Sequence, residues 1–239
     1  CAYLRTREHA AVENPTLTEL SGLAASPSGG DWYWGHNDSG NPPQLFRLST
    51  TGQDLGVVMV EGVENRDWED ITDFLWQGQP ALLIGDIGDN WATHDSVRLI
   101  AVPEPKPGQT RVKPFWTLEV FYPGGPRDAE GLGVDRQTGE ILILSKRERP
   151  PAIFRVAMPS TVPTSPVVAE RLGPVLHIPS PTVLDLIDDP YFGFLRNWPT
   201  ALSIAPSGHF AVVTTYKNAY RYEHVEGEPW QASFARKPV

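Results

Sequence analysis

Acidic residues recur at matching places in three short segments of the chain. Residues 19–23 read Glu-Leu-Ser-Gly-Leu, residues 67–71 read Asp-Trp-Glu-Asp-Ile, and residues 128–132 read Asp-Ala-Glu-Gly-Leu. Residues 198–202 follow the same pattern, with Trp198 and Thr200 in place of the acids. Residues two apart on a β-strand point to the same side. We therefore expect five carboxylates to share one face, those of Glu19, Asp67, Glu69, Asp128 and Glu130.

A second set of oxygen-bearing residues ends the strand that follows each segment. Asn37 and Asp86 hold this position in the first two units, and Ser145 and Thr214 hold it in the others. Asp38, Asp89 and Asn90 lie directly beside them. Asp and Asn at strand ends also serve as turn residues, and residues 38–41, Asp-Ser-Gly-Asn, read equally well as a turn.

Several carboxylates in a confined space need a counter-charge, a raised pKa or a bound cation. Arg66, Arg127, Lys146 and Arg147 flank the motifs and supply part of the charge. Carboxylate and amide oxygens without His or Cys suit Ca²⁺ better than zinc or copper. The sequence therefore predicts a calcium site with ligands among Glu19, Asn37, Asp67, Glu69, Asp86, Asp89, Asn90, Asp128 and Glu130.

Candidate catalytic groups are few. His36 stands one residue before Asn37 and is a candidate general base, with a simple hydrogen-bonding role as the alternative. Lys146 is the second candidate. The other histidines lack metal-ligand spacing, and the sequence contains no Gly-x-Ser-x-Gly elbow, P-loop or Rossmann fingerprint.

These motifs belong to a unit that occurs four times, and each unit reads strand, tight turn, strand, loop, strand. Segments 54–60 and 115–121 are predicted to add a fourth, outer strand. Four-stranded antiparallel units of this length predict an all-β propeller, because the competing β-sandwich does not repeat one polar signature. We expect a single domain, 1–239, with blades at about 17–63, 64–124, 125–180 and 195–239. We further expect five blades, the last incomplete or missing, with Ala2–Arg7 as a closing strand.

Composition excludes some partners. The 239 residues carry a net charge of −9, which disfavours binding to nucleic acid. The sequence lacks polybasic runs and a membrane-spanning apolar stretch, so a membrane tether is expected only if Cys1 is lipidated; an arbitrary boundary is the other interpretation of Cys1. We expect a monomer with an extracytoplasmic location.

Five motifs together resemble a group of bacterial propeller proteins. They are residues 19–23, 67–71, His-Asn-Asp-Ser-Gly at 36–40, Gly-Asp-Ile-Gly-Asp-Asn at 85–90 and Arg-Asp-Ala-Glu-Gly-Leu at 127–132. The group is similar to the SdiA-regulated and phytase-like esterase propellers, and more distantly to calcium-dependent lactonases of the gluconolactonase and paraoxonase type. The resemblance spans about residues 17–222 and implies an extracytoplasmic propeller with an acidic, calcium-binding centre.

Carried onto this sequence, the motif positions of that group are Glu19, Asn37, Glu69, Asp70, Asp86, Asp89, Asn90, Asp128, Glu130 and Lys146. The chain departs from the group at Thr214, where the resemblance implies Arg, and in lacking a further Glu-containing repeat after Val239. These departures bear on whether the metal site has all its ligands.

Two functions follow from these observations. The first is a binding module, in which the cation holds the blades together and the loop face recognises a small molecule or a protein. The second is a calcium-dependent hydrolase of an ester, lactone or phosphoester. A propeller fold serves both. We favour the binding module, because the sequence shows no nucleophile–base pair.

Overall fold

The computed structural model describes residues 11–239, so Cys1 and the predicted closing strand Ala2–Arg7 lie outside the described residues. Short runs of Val, Ile and Leu between Gly- and Pro-containing turns form the strands. In chain order they are β1 (Leu20–Ala25), β2 (Trp32–Asn37), β3 (Gln44–Ser49), β4 (Asp54–Val60), β5 (Trp68–Trp76), β6 (Gln79–Asp86), β7 (Val97–Pro103), β8 (Arg111–Val112), β9 (Trp116–Phe121), β10 (Ala129–Asp135), β11 (Glu140–Ser145), β12 (Ala152–Ala157), β13 (Val167–Val168), β14 (Glu170–Pro174), β15 (Pro199–Ile204), β16 (Phe210–Thr215) and β17 (Ala219–Glu223).

The strands form four small antiparallel sheets arranged as a four-bladed propeller, which confirms the predicted fold class. Blade 1 contains β1–β4, and blade 2 contains β5, β6, β7 and β9. Blade 3 contains β10, β11, β12 and β14, and blade 4 contains β15–β17. The two predicted outer strands are present as β4 and β9.

The innermost strands of successive blades pack side by side around the centre. Strand β5 lies against β1 and β10, and β15 lies against β10 and, to a smaller extent, β5. Strand β1 makes no comparable contact with β15 in the described part of the chain, and Leu20 and Leu23 of β1 are exposed. Residues 11–239 contain four blades, so a fifth blade stays a prediction.

Each inner strand carries a β-bulge at the same point of the repeat. The pairing with the second strand shifts between Leu20 and Gly22 in blade 1, and at the equivalent points in the other three blades. The unpaired residues at these bulges are Ser21, Glu69, Glu130 and Thr200. A bulge changes the direction of a side chain relative to regular strand alternation. All four strands therefore aim their bulge residue in an equivalent way.

The apolar core lies between adjacent blades, and strand alternation divides it. In β6, Leu82 and Ile84 pack towards blade 1, whereas Ala81 and Leu83 pack towards blade 3. Successive side chains of a strand point to opposite faces, so a middle blade buries both. This packing fixes the inner strands and their polar ends in place.

Segments from the next unit cover the outer edges of the first three blades. Strand β8 pairs in parallel with β4 of blade 1, and β13 pairs in parallel with β9 of blade 2. A C-terminal helix, α2 (Trp230–Ala235), packs on β14 of blade 3. Unpaired sheet edges invite pairing with other chains, and these segments protect them.

An insertion between blades 3 and 4 contains a short helix, α1 (Val183–Asp188), followed by a 3-10 helix at Gly193–Leu195. Thr182 caps α1 by accepting a hydrogen bond from the backbone N–H of Asp185. Within residues 11–239, no helix combines the length and the apolar character needed to span a bilayer.

Candidate metal centre

The four bulge residues line one cavity at the centre of the propeller. Ser21, Glu69, Glu130 and Thr200 surround a space of about 250 Å³. The remaining lining residues come from the ends of inner and second strands and from the loops that follow: Glu19, Leu20, Asp38, Lys146 and Tyr216. The repeat therefore brings one polar side chain from each blade to the same place.

Five acidic side chains form two overlapping clusters beside this cavity. Asp38, Asp67 and Glu69 present carboxylate oxygens within 4.8 Å of one another. Glu69, Asp128 and Glu130 do the same, so Glu69 belongs to both clusters. All except the half-buried Asp38 are buried. Either cluster could hold a metal ion.

Basic side chains form ion pairs with two acids of the second cluster, and Lys146 also lowers the pKa of Glu69, which the two clusters share. Lys146 forms a buried ion pair with Glu130, and Arg147 Nε donates to Asp128 Oδ2 at 2.7 Å. Within residues 11–239, no Lys or Arg nitrogen lies within 4.0 Å of a carboxylate oxygen of Asp38, Asp67 or Glu69. The first cluster is therefore a group of three acids without a basic partner.

Other buried carboxylates in the described chain have hydrogen-bond donors. Asp86 accepts from Arg98 Nε at 2.6 Å and from the backbone N–H of Asp67 at 2.7 Å. Asp135 accepts from the indole N–H of Trp230 at 2.9 Å. Within the cluster of Asp38, Asp67 and Glu69, Ser21 Oγ donates to Glu69 Oε2 at 3.4 Å and the backbone N–H of Ser39 donates to Asp38, but no Lys or Arg of the described chain forms an ion pair with these acids. Because a buried charge is costly without compensation, this cluster is the less well compensated of the two.

The lack of compensation appears in the pKa values. Burial, and next the negative charge of Asp38, raises the pKa of Asp67 to about 6. Burial and the neighbouring Glu130 raise the pKa of Glu69 well above its usual range. Burial also raises the pKa of Glu130, although Lys146 opposes this effect. Without a cation, the centre therefore retains protons that ordinary carboxyl groups lose.

Gly88 makes the close approach of Asp67 and Glu69 possible. A Cβ atom at position 88 would lie 2.5 Å from Asp67 Oδ2 and in still closer contact with Glu69 Oε1. The backbone N–H of Gly88 also donates to the carbonyl of Asp67 at 3.1 Å. The glycine therefore leaves space that the two carboxylates occupy.

The structure places the other predicted ligands in backbone-supporting contacts. Asn37 Oδ1 accepts from the backbone N–H of Glu19 at 2.9 Å, which matches the role of Asp86 in the next blade. Asp89 accepts from the backbone N–H groups of Thr93 and His94, at 2.9 and 2.8 Å.

Two further predicted ligands lie near the clusters but have other partners. Arg147 donates to Asn90 Oδ1, and Asn41 donates to Glu19 Oε2 at 2.9 Å. Glu19 is exposed and lines the cavity, whereas Asn90 does not. Of the nine predicted ligands, the two clusters contain Asp67, Glu69, Asp128 and Glu130.

The two catalytic candidates occupy different environments. His36 is fully buried, its Nδ1 lies 3.0 Å from the carbonyl oxygen of Asn37, and its ring packs edge-on against Trp68. It does not line the cavity. Lys146 does line the cavity, although its charge is paired with Glu130. The geometry therefore favours a structural, hydrogen-bonding role for His36 over a role as general base.

Asp70 joins three inner strands from a buried position at the centre. Its Oδ2 accepts from the backbone N–H groups of Leu132 and Leu202, at 2.8 and 3.1 Å, and its Oδ1 accepts from Ile71 at 2.9 Å. These donors lie in β10, β15 and β5. Asp70 is thus a structural link between three inner strands, next to Glu69 of the acidic clusters, and burial raises its pKa against these three hydrogen bonds.

Sequence reasoning left several residues of the centre out of the predicted ligand set. Asp38 is the third member of the uncompensated cluster, and its place at a strand end beside Asn37 was the available signal. Ser21 and Thr200 were visible in the repeat alignment as the neutral equivalents of Glu69 and Glu130. Nothing in the sequence singled out Tyr216, which joins the cavity wall from the loop after β16.

Comparisons with known proteins give little beyond this geometry. No family model matches the sequence, and no curated protein matches it. A search of solved structures matches the chain to hydrazine synthase of Kuenenia stuttgartiensis, with 12% sequence identity and a TM-score of 0.42. That match covers 85% of this chain and 58% of the hydrazine synthase chain. Similarity at this level carries no argument about function.

Proposed function

We propose that this protein is a calcium-binding propeller that uses its central cavity to bind a ligand. The observation that carries the proposal is the cluster of Asp38, Asp67 and Glu69, which has no basic partner in the described chain. A divalent cation would offset two of the three negative charges of these carboxylates, whose mutual repulsion otherwise opposes folding.

The donor set supports calcium over a transition metal. All three cluster residues offer carboxylate oxygens, and neither His nor Cys is present in either cluster. Calcium takes 6–8 oxygen ligands, whereas zinc and copper prefer nitrogen and sulfur. An extracytoplasmic location belongs to the same proposal, because extracellular modules commonly carry calcium sites, with Kd of about 10⁻⁴–10⁻³ M.

The open side of the cluster supports ligand binding. Asp38 is only half-buried and lines the cavity, so the cluster is open on the cavity side. Three carboxylates do not complete the coordination shell of calcium unless several bind through both oxygens. Lys146 and Tyr216 line the same space. We propose a small ligand with an oxygen that reaches the cation, held on the loop face.

The same open position supports the alternative of a hydrolase. A cation with a free coordination position can polarise a carbonyl or phosphoryl oxygen. Glu130, whose pKa is raised by burial, lines the same cavity and could accept or donate the proton while Glu69 binds the cation. Turnover of lactones or phosphoesters that requires calcium and is lost in Glu69→Gln would favour the hydrolase. Calcium-dependent binding without turnover would favour the binding module.

We expect purified protein to bind calcium and to become more stable when it does. At 100 times the dissociation constant, a ligand that binds only the folded state adds about 2.7 kcal/mol of stability. For a chain of this size that raises Tm by roughly 5–10 °C. Melting curves in excess EDTA and in excess Ca²⁺, with metal analysis of the protein, measure this. Identical curves and no bound metal would rule out the calcium site.

The calcium effect should increase with pH between about pH 5 and pH 8. The pKa of Asp67 is raised to about 6, so protons compete with calcium below that pH. Without calcium, in EDTA, the stability of the protein should instead fall as the pH rises. The folded protein retains protons that the unfolded chain loses above about pH 4, so stability falls as the pH rises through this window. Melting curves at several pH values, with and without calcium, test both trends. A calcium shift independent of pH would contradict the role of Asp67.

A further inference from the structure

The insertion between blades 3 and 4 exposes an unusual amount of apolar surface. Seven large apolar side chains within residues 183–194 are between 45% and 80% exposed: Val183, Leu184, Leu186, Ile187, Tyr191, Phe192 and Phe194. Single exposed apolar residues are normal on a protein surface, but a contiguous set is not. We call this set the apolar surface.

Helix α1 buries a polar side chain and exposes its apolar ones, the opposite of the usual helix on a water-facing surface. Its one buried residue is Asp185, which is 1% exposed, while Val183, Leu184 and Ile187 on the same helix are largely exposed. A helix on a water-facing surface normally turns its apolar stripe inward. The outer side of α1 therefore presents apolar side chains that nothing in residues 11–239 covers.

Specific polar contacts hold the segment in this orientation. Asp185 accepts from Lys217 Nζ and from the hydroxyl of Thr182, the latter at 2.7 Å. Gly193 packs so closely on the backbone of Asp185 that a Cβ atom there would clash. The backbone N–H of Gly193 also donates to the carbonyl of Asp189 at 2.8 Å. These contacts fix the backbone of the segment and therefore hold the apolar side chains in their exposed orientation.

The size of the apolar surface matches one side of a protein interface. With side-chain areas of ~150–250 Å² for the aromatic residues and less for the others, the exposed fractions give an area on the order of 800 Å². The largest apolar patch on a typical monomer is about 300–600 Å². A stable protein–protein interface takes about 800 Å² from each partner.

The charges at the edge of this surface favour a second copy over a lipid bilayer. Asp188 and Arg196 lie there 3.8 Å apart, and Lys217 is paired with Asp185, so the rim has no surplus of positive charge. Anionic lipids attract clusters of Lys and Arg, and this rim has no such cluster. A rim with one acid and one base is self-complementary, because two copies related by a two-fold axis can exchange these partners.

We propose that the apolar surface is the interface through which two copies of this chain form a two-fold symmetric dimer. Leu184, Ile187 and Tyr191 form its centre, and Asp188 and Arg196 form its rim. The dimer differs from the monomer expected from composition. The proposal does not depend on calcium, because the apolar surface shares no residue with the carboxylate clusters.

Light scattering after size exclusion, with protein at ~50 µM, tests the proposal. We expect wild-type protein to run as a dimer in both EDTA and Ca²⁺. The double variant Leu184→Asp with Ile187→Asp should be a monomer, with association weakened at least about 100-fold. Leu75→Asp changes an exposed leucine on blade 2, outside the apolar surface, and should remain dimeric. Circular dichroism should show that all three are folded.

Three outcomes would overturn the proposal. Wild-type protein that stays monomeric at this concentration would do so, as would a double variant that dimerises as strongly as wild type. Binding of a monomeric wild type to vesicles of phosphatidylcholine and phosphatidylglycerol would assign the apolar surface to a membrane. If the double variant is unfolded, Tyr191→Ser at the exposed loop position provides the same test.

Discussion

Asp70→Ala should destabilise the protein by about 3–5 kcal/mol, because the change leaves three buried backbone N–H groups without an acceptor. These groups belong to Ile71, Leu132 and Leu202, in three different inner strands. For a chain of this size the expected fall in Tm is roughly 8–15 °C. Thermal and urea melts of wild type and variant measure the effect.

Two further variants sharpen this experiment. Asp70→Asn keeps an acceptor on one side only, so it should lie between wild type and Asp70→Ala. Asp31→Ala removes a carboxylate from an exposed turn and should change stability by less than about 0.5 kcal/mol. If Asp70→Ala melts within a degree or two of Asp31→Ala, Asp70 does not link the inner strands as described.

Glu69→Gln should be more stable than wild type in EDTA and less stable than wild type in saturating calcium. In EDTA at pH 7 the variant should be more stable than wild type by about 1–2 kcal/mol, because a neutral amide removes the cost of keeping Glu69 protonated while the unfolded chain is ionised. Burial and the neighbouring acids raise the pKa of Glu69, so this gain should vanish near pH 4, where both states are protonated. In saturating calcium the variant should be less stable than wild type, since it lacks a carboxylate shared by both clusters.

Two matched variants separate the site from general effects. Glu226→Gln makes the same chemical change at an exposed position and should leave both melting curves unchanged. Gly88→Ala inserts a methyl group between Asp67 and Glu69 and should weaken calcium binding without removing a ligand. A Glu69→Gln protein that keeps the wild-type calcium shift would exclude both clusters as the site.

The repeat made the fold predictable. Four polar–aliphatic motifs at strand starts, each followed by a turn and a second strand, indicate a unit that packs beside copies of itself. The same repeat placed Glu69 and Glu130 together, because equivalent positions of successive blades meet at the centre. Sequence reasoning attributed this convergence to strand alternation, whereas the structure shows a β-bulge at each of these positions.

The balance of charge at the centre could not be predicted, because it depends on residues that reach in from elsewhere. Arg98 approaches Asp86 from β7, and Arg147 approaches Asp128 from the loop after β11. Flanking Arg and Lys were visible in the sequence, but which carboxylate each one neutralises depends on side-chain direction. The uncompensated cluster of Asp38, Asp67 and Glu69 therefore emerged only in three dimensions.

The segments that cover the outer edges of the blades all come later in the chain than the blades that they cover. Strand β8 follows β7 of blade 2 yet lies on blade 1, and β13 follows β12 of blade 3 yet lies on blade 2. Helix α2 follows blade 4 and lies on blade 3. Each of the first three blades is thus covered at its outer edge by a segment that comes later in the chain. During synthesis, the outer edge of each of these blades would stay uncovered until the following unit has been made. In the finished protein, a pulling force applied at the C-terminus would uncover the blades one at a time, in order from the C-terminal end.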